Sequence, residues 1–253
     1  MNDLTRLHPA CLALILLACG GADDEPAAPE QRETAGGHDH ASGHPGAAHG
    51  HGHHDHAAHR HDFSDVERFA AIFDDPERDE WQRPAEVVAL LALDEGMTVV
   101  DLGAGTGYFV PHLAAAVGPS GRVLALDVEE AMVAHMRERF DEAGLEHAEA
   151  RTVAPDDPGL EPASVDRILV VDTWHHVAER EAYAARLRET LRPGGTVTVV
   201  DFTADSPRGP PPAMRLTADE VSAELAAGGL EPAVLEESLP WQYVVRARRP
   251  VTE

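Results

Sequence analysis

The chain is short of thiols, of positive charge and of long apolar runs, and each shortage narrows its chemistry. Its two cysteines, Cys11 and Cys19, both fall in the first 20 residues. Beyond them no thiol exists for a disulfide, a metal cluster or a nucleophile. Lys and Arg total 20 against 45 Asp and Glu, a formal net charge of -25, and no basic cluster is visible. A groove for nucleic acid needs clustered cations to replace counterions, so a nucleic-acid partner is not expected. The excess carboxylates read as a solvated surface. The longest apolar run, residues 10–19, is half of what a helix needs to span a hydrocarbon core, roughly 20 residues. Residues 20–61 contain almost no aliphatic side chains and cannot bury enough surface to offset their ordering entropy, so they read as a linker. Three parts are therefore expected: 1–19 as a signal segment, 20–61 as a disordered His-rich linker, and 62–253 as one folded domain, long enough for a single core.

The run 10–19 suits the apolar region of a signal peptide. Its ending, Leu16-Leu17-Ala18-Cys19-Gly20, resembles a bacterial lipoprotein signal. The resemblance implies that Cys19 becomes the lipid-anchored N-terminus of a cell-envelope protein, in the periplasm or on the outer membrane. The other reading is an uncleaved N-terminus on a cytoplasmic protein. Ten histidines follow between His38 and His61, interleaved with Gly, Ala and Asp. Neutral imidazoles on a flexible chain bind divalent zinc, nickel or copper, with His51, His53, His54 and His56 the densest set. No rigid scaffold fixes their number or geometry, so a catalytic metal is not expected and a solvated, pH-responsive tether stands beside the metal reading.

From residue 86 onward strand-like and helix-like apolar patterns alternate, the signature of an α/β fold with a mostly parallel sheet covered on both faces. Strands are expected at 98–102, 123–126, 148–153, 167–171 and 196–202, with helices at 109–117, 129–143 and 179–190. Pro84 opens an earlier helix. Thr217 and Glu220 form a capping-box pattern for a helix that stops at Gly228-Gly229, and 233–237 with 242–248 read as a closing strand pair.

The sharpest local signal is Asp101-Leu102-Gly103-Ala104-Gly105-Thr106-Gly107, which follows a buried strand and opens a helix. Glycines at alternate positions allow unusual dihedrals and close approach of a ligand to the main chain. A dinucleotide fingerprint laid on Gly103 and Gly105 would require glycine at 108, where Tyr108 stands. Asp127 ends the next strand, where an acid can accept hydrogen bonds from both hydroxyls of a ribose or cap the helix that follows. Asp172-Thr173-Trp174-His175-His176 follows the fourth strand, at the carboxyl edge where open sheets bind ligands. Residues 191–195, Leu-Arg-Pro-Gly-Gly, read as a turn into the fifth strand.

The pattern D-x-G-x-G-x-G, the acid at 127, the paired histidine and the Leu-Arg-Pro-Gly-Gly turn together resemble the class I S-adenosylmethionine-dependent methyltransferases, the paired histidine resembling the subgroup that includes the ubiquinone and menaquinone methyltransferases. The resemblance covers roughly residues 62–248. It implies a doubly wound, seven-stranded, mostly parallel sheet with a C-terminal antiparallel hairpin, and S-adenosylmethionine as cofactor. By the same resemblance Asp101, Gly103, Ala104, Gly105, Thr106 and Gly107 hold the methionine end and Asp127 the ribose. Val128, Met132 and Asp156 border the adenine, with Asp157 competing for the last role, and Asp172 faces the methyl group. Arg78 or Trp81 closes the site as part of an N-terminal lid. His175 or His176 is the implied base toward a small-molecule acceptor, with Asp172 a weaker candidate. The absence of domain cysteines disfavours the arsenite branch. Two other readings remain: a non-catalytic envelope lipoprotein that binds S-adenosylmethionine, a nucleoside or metal, and a nicotinamide-dependent oxidoreductase.

Overall fold

The computed structural model describes residues 65–251. The N-terminal segment with Cys19, and the tract containing His51, His53, His54 and His56, lie outside the described residues. Strands β1 (Thr98–Leu102), β2 (Arg122–Asp127), β3 (Ala148–Thr152), β4 (Val165–Val171), β5 (Leu191–Phe202), β6 (Glu231–Val234) and β7 (Gln242–Arg248) form one sheet. Their order is β3-β2-β1-β4-β5-β7-β6. The first five run parallel, and β7 lies antiparallel between β5 and β6. This is the doubly wound sheet with a terminal antiparallel pair that the alternating pattern implied. Chain order reverses between β1 and β4, which opens a crevice at the carboxyl ends of those strands.

Alternation along each strand divides the core into two layers. Val99, Leu169, Val200 and Val244 face helices α3 (Pro84–Leu90), α4 (Val110–Val117) and α5 (Glu130–Ala143), where Val87, Leu113, Val133 and Phe140 complete the packing. Val100, Ile168, Val199 and Val245 face α6 (Arg180–Thr190) and α7 (Ala218–Ala227), against Tyr183, Leu187, Val221 and Leu225. Both strand faces are apolar because both are covered. The capping box forms as expected: the Thr217 hydroxyl accepts from Glu220 N–H, and Glu220 accepts from Thr217 N–H at 2.8 Å.

Three details differ from the sequence reading. Helices α1 (Val66–Phe73) and α2 (Arg78–Gln82) precede Pro84. They are short, of eight and five residues. Strand β5 begins at Leu191, so 191–195 is not a plain turn. Leu191 pairs with Val165 and Thr196 with Arg167, and the residues between bulge out opposite Asp166, helped by Gly194 at φ 79°. Strand β6 is displaced toward the N-terminus, at 231–234 rather than 233–237. Among the described residues no helix is long and apolar enough to cross a membrane.

Candidate active site

The crevice is built first by the turn after β1. Gly103, Gly105 and Gly107 have φ of 73°, 57° and 78°, left-handed values that a β-carbon disfavours. A β-carbon on Gly103 would also lie 2.3 Å from the Thr173 methyl group. The turn is tied to the next strand: Gly103 and Ala104 N–H donate to Leu126 O, and Gly105 N–H donates to the Asp127 carboxylate at 2.8 Å. The other Asp127 oxygen accepts from Glu129 N–H at 3.0 Å. Burial raises the Asp127 pKa against these bonds. Thr106 is buried, and its hydroxyl donates to Asp74 at the end of α1.

Beneath the turn lie a buried acid, Asp101, a partly buried one, Asp172, and one guanidinium. Asp101 is pushed up to about 7 by burial, with Arg78 opposing and Asp127 adding to the rise. Asp172 is also pushed up to about 7, by burial first, lowered by Arg78 and raised by Asp201. Its backbone is in the left-handed region, φ 53°, an uncommon conformation that aspartate tolerates better than most residues. A closed ring of polar side chains holds it. Gln242 donates to Asp172 at 2.6 Å, Gln82 donates to Gln242 at 2.7 Å, Arg78 donates to Gln82, and Arg78 returns to within 4.0 Å of Asp172. Both glutamines are fully buried. The ring ties the N-terminal helices to β7 across the ends of β4 and β5.

The histidines stand beside this ring. His175 Nδ1 lies 3.0 Å and 3.1 Å from the two Asp201 oxygens, and both side chains are 3% exposed. Such a bond fixes the imidazole orientation and, with Asp201 ionised, places the proton on Nδ1 and leaves Nε2 as an acceptor. The His176 ring lies against that of His175, with ring centres 4.1 Å apart and planes tilted by 45°. The short turn carrying them is anchored by Trp174, fully buried, whose Nε1 donates to Glu224 at 2.8 Å.

Residues 99–195, from β1 to the β5 bulge, match the methyltransferase domain family. The crystal structure of an S-adenosylmethionine-dependent methyltransferase from Aquifex aeolicus superposes with a TM-score of 0.69 at 30% identity, over 75% of this chain and all of that one. The chain belongs to the S-adenosylmethionine-dependent methyltransferase family. Two further methyltransferases are similar over shorter stretches. Trans-aconitate 2-methyltransferase of Variovorax paradoxus is 36% identical over 122 residues, 48% of this chain and 45% of that protein. A ubiquinone/menaquinone biosynthesis C-methyltransferase of Bordetella parapertussis is 29% identical over 119 residues, 47% of this chain and 46% of that protein. The chain spans about half the length of the curated relatives it matches.

The residues present suit the methyltransferase cofactor. Asp127 has lone pairs left for a diol after its two backbone bonds. Next to it Val128 is 49% exposed, an apolar surface beside a carboxylate such as a nucleoside requires. Asp101 and Asp172 are acidic groups beside the turn, of the sign that a sulfonium amino acid would call for. Among the other expected contacts Met132 is fully buried in the first turn of α5, and Asp156 is exposed four residues beyond β3. Asp157 accepts from Gly159 N–H and lies 3.5 Å from Arg186, so it is engaged in its own turn. Of the two lid candidates, Arg78 lies inside the ring below the turn, with its guanidinium 4.1 Å from the Tyr108 ring centre. Asp201, Gln82 and Gln242 were not singled out from sequence. Their partners are 26 to 160 residues away, and only the polarity of positions within or beside apolar strands hinted at them.

Proposed function

We propose that the domain transfers a methyl group to a small-molecule acceptor, with His175 as the base that takes the acceptor proton and Asp201 as the group that orients it. The observation that carries this reading is the buried His175–Asp201 pair at the same sheet edge as the glycine turn. When bound, S-adenosylmethionine supplies an electrophilic methyl and its own leaving group, so little else is asked of the protein beyond alignment and exclusion of water. Asp127 would orient the sugar, the glycine turn and Asp101 would hold the amino-acid end, and Asp172 would lie beside the transfer site. His175 accepts the proton at Nε2 while Asp201 stabilises the resulting imidazolium. The paired histidine and the Bordetella relative support a place near the quinone C-methyltransferases.

The test uses the purified full-length chain with S-adenosylmethionine and a library of small acceptors, reading S-adenosylhomocysteine release. His175→Gln should lower kcat by about 10²–10⁴, the usual range for a general base, with cofactor affinity unchanged. Turnover equal to wild type in that variant would remove His175 from the role. Cofactor binding with no turnover on any acceptor would point instead to a binding module.

We also propose that residues 1–19 export the chain and that Cys19 carries the lipid, with residues 51–56 loading a divalent ion. Cys19→Ala should release the protein from the membrane fraction, and replacing His51, His53, His54 and His56 should abolish zinc binding. Retention of either property would refute its assignment. Because S-adenosylmethionine is made in the cytoplasm, an exported enzyme would need cofactor delivered to it.

A further inference from the structure

Every one of the 20 basic side chains is an arginine, and the chain has no lysine. Two of these arginines converge on one indole at the mouth of the site. The Arg78 guanidinium lies 6.0 Å from the Trp81 ring centre, and that of Arg208 lies 5.6 Å from Trp81 and 5.5 Å from Trp241. Trp81 is also 5.8 Å from Trp241 and 6.0 Å from Phe202, so three rings form one wall. Arg78, beside Trp81, also reaches to within 4.0 Å of Asp172 at the end of β4, whereas Phe202 points to the sheet face opposite Asp201. The wall therefore adjoins the transfer site.

Arg208 is carried on a constructed loop. Arg215 donates to the main-chain carbonyls of Thr203, Ala204, Ser206, Arg208 and Pro210 at 2.8–3.1 Å, drawing residues 203–210 around a single guanidinium. Gly209, at φ 89°, presses so closely on Phe202 that a β-carbon would lie 2.3 Å from its ring. The loop is thus fixed against the wall, with Arg208 above it.

The polar groups offered here are donors. Among the described residues Trp81 Nε1–H is buried without an acceptor, and the Arg208 side chain has only Glu77 as a hydrogen-bond partner, at 3.3 Å. That pair is 41% and 71% exposed, a weak solvated contact that a better-placed anion can displace. A planar guanidinium over aromatic rings, beside a buried indole N–H, suits a flat body that ends in a carboxylate.

We infer that the methyl acceptor is a planar, unsaturated carboxylic acid, with its flat body against the partly exposed Trp81 and Trp241 and its carboxylate on Arg208 in place of Glu77. This rests on the methyltransferase reading above. It assigns the acceptor's chemical class and the loop that selects it.

Isothermal titration of the full-length chain, with and without S-adenosylhomocysteine, tests it with three probes of one shape: cinnamate, cinnamamide and cinnamylamine. Cinnamate should bind at least tenfold more tightly than the amide and the amine. Arg208→Gln should bring acid and amide within twofold while leaving S-adenosylhomocysteine affinity unchanged. Glu77→Gln, which removes the resident competitor, should tighten cinnamate at least threefold. Equal binding of acid and amide, preference for the amine, no binding of any probe, or an acid preference that survives Arg208→Gln would each overturn the assignment. Failure of S-adenosylhomocysteine to bind would strike the methyltransferase reading instead, since the acid-to-amide ratio is also read without it.

Discussion

Replacing Asp101 with asparagine should make the protein more stable at pH 8 and worse at binding its cofactor. Asp101 is buried and its pKa is raised from the ordinary 3.8 to about 7, chiefly by burial. Between those values the folded chain keeps a proton that the unfolded chain has lost. The contribution to stability is therefore full below pH 4, falls as pH rises, and is exhausted above about 7. A shift of three units at about 1.4 kcal/mol per unit sets a ceiling of about 4 kcal/mol. Relaxation around Arg78 should reduce this to about 2 kcal/mol, or roughly 4–8 °C in melting temperature for a domain of this size. Asparagine has the same shape and no charge to bury. Calorimetric melts of wild type and Asp101→Asn at pH 4 and pH 8 should give a small difference at the lower pH and a higher melting temperature for the variant at the upper one. Asp172 titrates in the same window in both proteins, so only the difference between them reports on Asp101. Titration with S-adenosylmethionine at pH 8 should show the variant binding more weakly, because a carboxylate near the cationic end is gone. A variant less stable than wild type by the same amount at both pH values would refute the reasoning.

Other substitutions probe separate parts of the fold. Gly103→Ala places a methyl group 2.3 Å from the Thr173 methyl in a left-handed backbone, and should cost about 3 kcal/mol from the two effects together. Adding Thr173→Gly, which also removes the Thr173 β-carbon 2.9 Å away, should restore the steric part alone, and a double variant no more stable than the single one would show that the clash is not the cause. Thr217→Ala removes the cap of α7 and should lower stability by about 1 kcal/mol in urea melts, with cofactor affinity untouched. Asp127→Ala should weaken S-adenosylmethionine at least tenfold, about 1.4 kcal/mol, and an unchanged dissociation constant would remove Asp127 from the site.

The parts of this fold that were legible in sequence are those whose signal is local. Strand β1 and the glycine turn carry their apolar run, their glycines and their helix start within a dozen residues, and β7 was placed at its observed bounds. Thr217 and Glu220 announce a helix start because both halves of the box lie on one turn. The misses have equally physical origins. Helix α1 has eight residues and α2 five, too few to show a sustained period. The β5 bulge was hidden because Pro193 and the following glycines look the same in a turn and in an irregular strand. In the site, paired histidines could be noticed, but Asp201 gains its meaning only from β5 lying beside β4. Gln82 and Gln242 meet across 160 positions of chain, and nothing in either neighbourhood names the other.

The way Arg215 grips its loop bears on how such an enzyme changes taste. It holds oxygen atoms that every amino acid supplies, so the outline of the loop is independent of the side chains displayed on it. Ala204, Asp205 and Arg208 can be exchanged without redrawing the backbone that presents them, much as a clamp accepts different tools. A lineage starting from this scaffold could turn to new substrates by single replacements there, provided the clamp itself is left alone.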